Sequence, residues 1–205
     1  MKRFVLLLIS VLVLLCSCEN SDSIEGTYTA TDDGRSLAII LDDGYCLIDV
    51  LDEQDGKVAA TAAGGKYTLE KDELTIEILE GMLKGERFSF LYNENRGTLA
   101  DSGNKTVYEK QKVKNQMPDG VYAYDIGSEN CVLTIDGDYC SIFAHSINAN
   151  GEEATAEEEG TVKVSGNTVE LELADKNYKF IYASNANVLM DTVDGRVYKQ
   201  SITEE

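Results

Sequence analysis

Three of the five cysteines, one histidine and a surplus of carboxylates are the residues through which this chain could do chemistry. Cys46 keeps phase with Ile48 and Val50, Cys140 with Ile142 and Ala144, and Cys131 with Leu133 and Ile135. A cysteine on the apolar face of a strand acts as a small hydrophobe. A redox centre asks for a C-x-x-C pair or an adjacent base, and the sequence has neither. A bridge from Cys131 to Cys140 is expected to be stretched. A turn at 136–138 would set Cys131 opposite residue 142 or 143, a strand offset of two or three residues at ~3.3 Å each. A bridge from Cys46 to Cys140 would need two halves of the chain to meet core to core. His145 stands beside Ser146, but neighbours on a strand point to opposite faces and cannot share a proton. One histidine and three core-facing cysteines lack zinc-ligand spacing. The acidic turns Asp42-Asp43-Gly44 and Asp136-Gly137-Asp138 lack the distal glutamate of a calcium loop, and Asp-Gly is what a tight hairpin requires. No pair of carboxylates stands out for glycoside hydrolysis. The sequence therefore assigns no catalytic residue, metal or cofactor, and it predicts a protein that is not an enzyme.

Charge narrows the partners. The chain carries 18 basic and 37 acidic residues, a net of −19. Such a surface repels nucleic acid and anionic headgroups, so nucleic-acid partners are excluded.

The elements that must position these residues come in two copies. LAIILDDGYCLIDV (37–50) returns ninety-four positions later as CVLTIDGDYCSIFA (131–144). GKYTLEKDELTIEI (65–78) matches GTVKVSGNTVELEL (160–173), FSFLYNEN (88–95) matches YKFIYASN (178–185), and TLADSGNKTVYEK (98–110) matches VLMDTVDGRVYKQ (188–200). Tyr28, Tyr45, Tyr92 and Tyr108 pair with Tyr122, Tyr139, Tyr182 and Tyr198, eight of the eleven tyrosines. Fixed-period self-similarity of this kind marks a duplication. The only proline, Pro118, lies between the copies and marks a linker over 112–118.

Within each copy the signals are strands. Leu74, Ile76 and Ile78 alternate with Thr75 and Glu77, as Val169, Leu171 and Leu173 do with Glu170 and Glu172. Period two over short runs means antiparallel sheet with one buried face. Phe88, Phe90 and Tyr92 share one face, as do Tyr178, Phe180 and Tyr182, and these six either fill a core or face a ligand. Core is the reading preferred here, because an eight-stranded barrel is only just wide enough for its own side chains. Gly151 to Gly160 holds five glutamates and reads as a solvated loop or one helical turn. The predicted class is all-β: two tandem antiparallel meanders or small barrels, with one larger barrel or sandwich as the rival.

The first seventeen residues, MKRFVLLLISVLVLLCS, have a charged start and a short apolar run, the pattern of a bacterial secretory signal rather than a spanning helix. Leu15-Cys16-Ser17-Cys18 resembles the lipobox of bacterial lipoproteins, which implies acylation of Cys18 and removal of residues 1–17. Losing Lys2 and Arg3 leaves 16 basic against 37 acidic residues, a net of −21. Residues 18–24 then form the lipidated cysteine and tether, 25–111 the first repeat, 119–200 the second and 201–205 a tail.

Gly26-Thr27-Tyr28 at the start, the Asp-Gly hairpin, GKYTLEKDELTIEI and the closing TVYEK together resemble the lipocalin-like domains of small bacterial lipoproteins. The likeness covers nearly all of each repeat but rests on turn and core residues, with Tyr28 and Tyr122 where such domains often carry Trp. It implies a fold and transfers no catalytic residue. The expectation is an envelope lipoprotein held on a membrane by its lipid (the outer membrane, facing periplasm or surface, in a two-membrane cell). It would act as a structural or interaction module for another envelope protein or a cell-wall component, or else as a carrier of a small apolar ligand inside a barrel.

Overall fold

The computed structural model describes residues 23–201 apart from 33, 55, 56 and 82. The expected secretory signal and the expected lipidation site, Cys18, lie outside the described residues. The first repeat runs through β1 (Gly26–Asp32), β2 (Arg35–Asp42), β3 (Tyr45–Gln54), β4 (Lys57–Glu70), β5 (Glu73–Glu80), β6 (Arg87–Asn93), β7 (Thr98–Asp101) and β8 (Val107–Gln111). The second runs through β9 (Gly120–Asp125), β10 (Glu129–Asp136), β11 (Tyr139–Ile147), β12 (Glu153–Ser165), β13 (Thr168–Leu173), β14 (Asn177–Ala183), β15 (Val188–Asp191) and β16 (Val197–Gln200). Each set forms a closed barrel of eight antiparallel strands in meander order. The first closes by pairing Thr27 with Gln111 and the second by pairing Lys199 with Ala123. The fold is all-β with two tandem barrels, and the single larger barrel is set aside.

Local chemistry explains the hairpins. Asp43 and Gly44 join β2 to β3 with φ of 51° and 80°, the left-handed pair a two-residue turn demands. The matched turn, Gly137-Asp138, pairs Asp136 with Tyr139. This register sets Cys131 opposite Ala144 rather than residue 142 or 143, because the loop has only two residues. Cys140 pairs with Ile135, four strand positions from Cys131, so the two thiols are further from bridging than the sequence suggested. Cys46, Cys131 and Cys140 are all free thiols, with Cys46 and Cys140 in separate barrel cores.

The long strands β4 and β12 each change partner at a glycine. Gly65 and Gly160 pair back to Cys46 and Cys140 and forward to Ile78 and Leu173. A Cβ at Gly65 would collide with the Glu77 carbonyl, and one at Gly160 with the Glu172 carbonyl, so only glycine admits the close approach. The stretch 151–160, expected as a loop or helical turn, is largely strand. Its glutamates sit on an arm paired to β11 from Glu153 to Thr161, where solvent takes the charge while the backbone keeps its ladder.

Three apolar clusters hold the molecule. Two are the barrel interiors, built around Tyr28, Leu74, Phe90 and Leu99, and around Tyr122, Leu171, Phe180 and Leu189. The third lies between the barrels: Ile40 and Leu47 on the outside of β2 and β3 meet Ile181, Ala183, Val188 and Met190 on the outside of β14 and β15. Lys179 Nζ donates to Asp42 Oδ1 at 2.7 Å, and Thr168 Oγ1 donates to Asp42 Oδ2 at 2.8 Å, sealing one margin. Burial draws the Lys179 pKa down, but Asp42 outweighs it and the net shift is upward. The Asn185 N–H donates to Asp49 Oδ2 at 3.2 Å, and the Tyr45 hydroxyl donates to the Val193 carbonyl at 2.5 Å. In the linker, Asn115 accepts from the Gly166 N–H at 2.8 Å and donates to the Val164 carbonyl at 2.9 Å.

Candidate functional site

The feature best suited to hold a ligand is a pocket of about 340 Å³ at one mouth of the second barrel. Its walls come from side chains that point inward on alternate positions: Tyr124 on β9, Cys131 and Leu133 on β10, Ile142 and Ala144 on β11, Tyr178 and Phe180 on β14, and Tyr198 on β16. The rings form a connected wall. Tyr124 and Tyr198 lie 5.6 Å apart between centroids, Phe180 meets Tyr198 edge-on at 5.6 Å, and Tyr178 stacks on Phe180 at 6.3 Å. Offset and edge-on arrangements at these distances are the favourable ones for aromatic pairs.

A polar collar surrounds the opening. The Arg196 guanidinium carbon lies 5.2 Å from the Tyr124 ring centre, within cation–π range. Arg196 also pairs with Glu129 at 2.9 Å and Asp194 at 2.8 Å, so its charge is neutralised where it stands. Asp191, 4% exposed, accepts from the Val193 N–H at 2.7 Å. Burial pushes the Asp191 carboxyl above its usual range. Burial likewise raises Cys131 and Tyr198, which keeps both groups protonated near neutrality. Cys46, fully enclosed in the first barrel, is pushed up to about 12 by burial, the behaviour of a packing thiol and not a nucleophile.

The first barrel supplies a built-in comparison. Where the second has Cys131 and Ala144, the first has Leu37 and Val50, which shrinks the second barrel's wall at two facing positions. Where the second has Glu129, Tyr178 and Arg196, the first has Arg35, Phe88 and Thr106, so the Glu129–Arg196 pair belongs to the second repeat alone, while Asp191 is matched by Asp101. Tyr124 replaces Ala30 and adds the ring on which Arg196 rests.

The six aromatics singled out from the sequence divide. Phe90 is buried in the first core with Phe88 and Tyr92 packed against it. Tyr182 is buried in the second core and donates to Asn187 Oδ1 at 2.9 Å. Tyr178 and Phe180 line the pocket. Sequence reasoning passed over Tyr124 and Arg196. The signal for them was the departure of one repeat from the other at matched positions. His145 and Ser146 both border the collar where β11 ends, and His145 lies 3.8 Å from Glu153. Among the described residues no group of three His, Cys, Asp or Glu side chains is placed to hold a metal ion, and no helix is long and apolar enough to cross a membrane.

Comparison with known proteins adds little. No family model matches the chain, and no curated protein matches it. Among solved structures, the DNA polymerase III beta subunit of Thermotoga maritima aligns over 92% of this chain and 59% of its own, at 11% identity and a TM-score of 0.19. The beta subunit of Pseudomonas aeruginosa aligns over 92% of this chain and 60% of its own, at 7% identity and a TM-score of 0.17. The chain thus spans about three fifths of those subunits' length, and similarity at this level carries no argument about function.

Proposed function

We propose that the chain is a bacterial envelope lipoprotein, anchored through a lipid on Cys18, that works as a non-enzymatic binding module with lipocalin-like barrels. The ligand-holding element is the mouth of the second barrel. The observation that carries this reading is the aromatic-walled pocket of about 340 Å³, at the lower end of the range small-molecule sites occupy. Its occupant is small and mostly apolar, with a flat ring to lie against Tyr124, Tyr178 and Tyr198 and a polar group to face the collar. The walls supply stacking and exclude water, while the neutralised Arg196 orients rather than reacts.

Two or three acyl chains at ~0.8 kcal/mol per buried CH₂ would hold such a protein on its membrane, and a net charge of −21 would keep it clear of its neighbours. Native mass spectrometry of the protein extracted from its own envelope tests the reading. An added mass of a few hundred daltons beyond the anchor, released on unfolding, is the expected result. A bare chain would overturn the carrier and return the protein to an interaction module.

A further inference from the structure

A second binding surface lies on the first barrel and is independent of the pocket. The strand β4 is fourteen residues long, but it pairs with β5 only from Gly64 onward. From Lys57 to Ala63 its only strand partner among the described residues is β3. One edge of this arm therefore presents backbone N–H and C=O groups with no ladder, an invitation to another strand. After β5 the chain passes close over Ala62 and Ala63 at Gly81, so the open length is Lys57 to Thr61, about 16 Å at ~3.3 Å per residue.

The matched arm of the second barrel shows how such an edge is protected. From Glu153 to Glu159 the strand β12 also pairs on one side only, with β11. Its sequence there is EATAEEE, four carboxylates in seven residues, the charged edge that sheets use to refuse partners. The β4 edge reads KVAATAA, with one charge at its far end and small exposed side chains at Ala59, Ala60 and Thr61. A groove of about 590 Å³ runs beside it, with Ala60, Thr61 and Ala62 on one wall and Val188, Val197 and Lys199 of the second barrel on the other. Three consecutive residues of one strand line that wall, so the groove faces the strand's edge rather than one of its faces.

We infer that the open edge of β4 takes an extended segment of a positively charged partner protein, added as a further strand in the groove between the barrels. The edge fixes the backbone conformation of the guest. Alanine and valine line much of the groove beside the edge, with Glu80, Lys199 and Gln200 among the rest, so the guest's side chains that face the edge are small. Glu80 and Lys199 offset one another in the groove itself, so the guest's charge follows from the field of the whole chain. The host carries −19, and a second copy would bring the same charge to the same place, which disfavours self-pairing.

The probe is a nine-residue peptide of alternating valine, alanine and threonine with a lysine at each end, titrated against the full chain. Fluorescence anisotropy reads binding, and amide hydrogen exchange reads residues 59–61. The expected result is saturable binding with slowed exchange at 59–61, weakened by added salt. The double variant Ala60→Glu/Thr61→Glu, which copies the guarded edge of β12, keeps the melting temperature and binds about tenfold or more weakly. Equal binding by parent and variant, or binding without slowed exchange at 59–61, would overturn the inference. So would a dimer in sedimentation that protects the same amides without peptide. The double variant leaves the second barrel's pocket untouched, so loss of peptide binding and loss of small-ligand binding are separable.

Discussion

The two barrels share a meander, a hairpin register and a glycine bend, yet they present opposite surfaces at matched positions. On the outside, Ile40 and Leu47 of the first barrel correspond to Thr134 and Ser141 of the second. Ile181, Val188 and Met190 of the second correspond to Leu91, Thr98 and Ala100 of the first, and Leu91 stays 55% exposed. The contact is therefore heterologous, one barrel offering β2 and β3 and the other β14 and β15. Inside, the second barrel has lost bulk at Cys131 and Ala144 and gained the polar collar. Duplication preserved what folds each barrel, and divergence gave the contact between barrels to one set of strands and the pocket to another.

The largest expected effect tests the docking face. Leu47, wholly buried between the barrels, replaced by Asp leaves an unpaired charge there and is expected to cost ~3–5 kcal/mol in chemical denaturation. The matched change in the second barrel, Ser141→Asp, should cost under about 1 kcal/mol. Equal costs would mean that the third cluster does not hold the barrels together.

Giving the second barrel the first barrel's residues, Cys131→Leu with Ala144→Val, should close the pocket. Added bulk in an empty mouth is expected to change stability by less than about 1.5 kcal/mol while abolishing uptake of a small aromatic probe, read by calorimetry. Loss of folding would show that the mouth is already filled.

Asp49 sits at the docking face where the second repeat has the exposed Phe143. Burial raises its pKa, opposed by the backbone N–H groups of Asn185 and Ala186. A carboxyl whose folded pKa is raised contributes its stability below the unfolded value of about 3.9 and loses it as pH rises through the folded pKa. The parent should therefore lose more stability than Asp49→Asn as pH climbs from about 4 toward neutrality, measured as melting temperature against pH. A steeper decline in the variant would reverse the assignment. At the small end, Lys163→Ala removes an exposed pair with Glu172 and should leave the melting temperature unchanged.

Much of the fold could be read from residues. The repeat, the period-two runs at 74–78 and 169–173, and the Asp-Gly turns point to the barrels that form. The strand at 153–159 escaped because its glutamates suggest a solvated loop, and only its pairing with β11 shows why an acidic strand is tolerated. The docking face was legible in principle. Ile39-Ile40-Leu41 and Phe180 to Ala183 are apolar on consecutive positions and buried on both faces, and the counterpart Leu133-Thr134-Ile135 is not apolar throughout. Phe90-Leu91-Tyr92 carries the same apolar run, yet Leu91 stays 55% exposed, so the pattern marks one side of the contact better than the other. The pocket was not legible, because Tyr178 and Phe180 have the same character whether they fill a core or border a space. The space depends on Cys131 and Ala144 lying opposite one another, which the register alone establishes.

The central claim is that divergence opened the second barrel for a ligand, and paired native mass spectra test it most directly. Parent protein and the Cys131→Leu/Ala144→Val variant, each purified from the native envelope, would be compared at equal anchor mass. The account predicts an additional few hundred daltons on the parent that is absent from the variant. The same added mass on both proteins, or on neither, would contradict it.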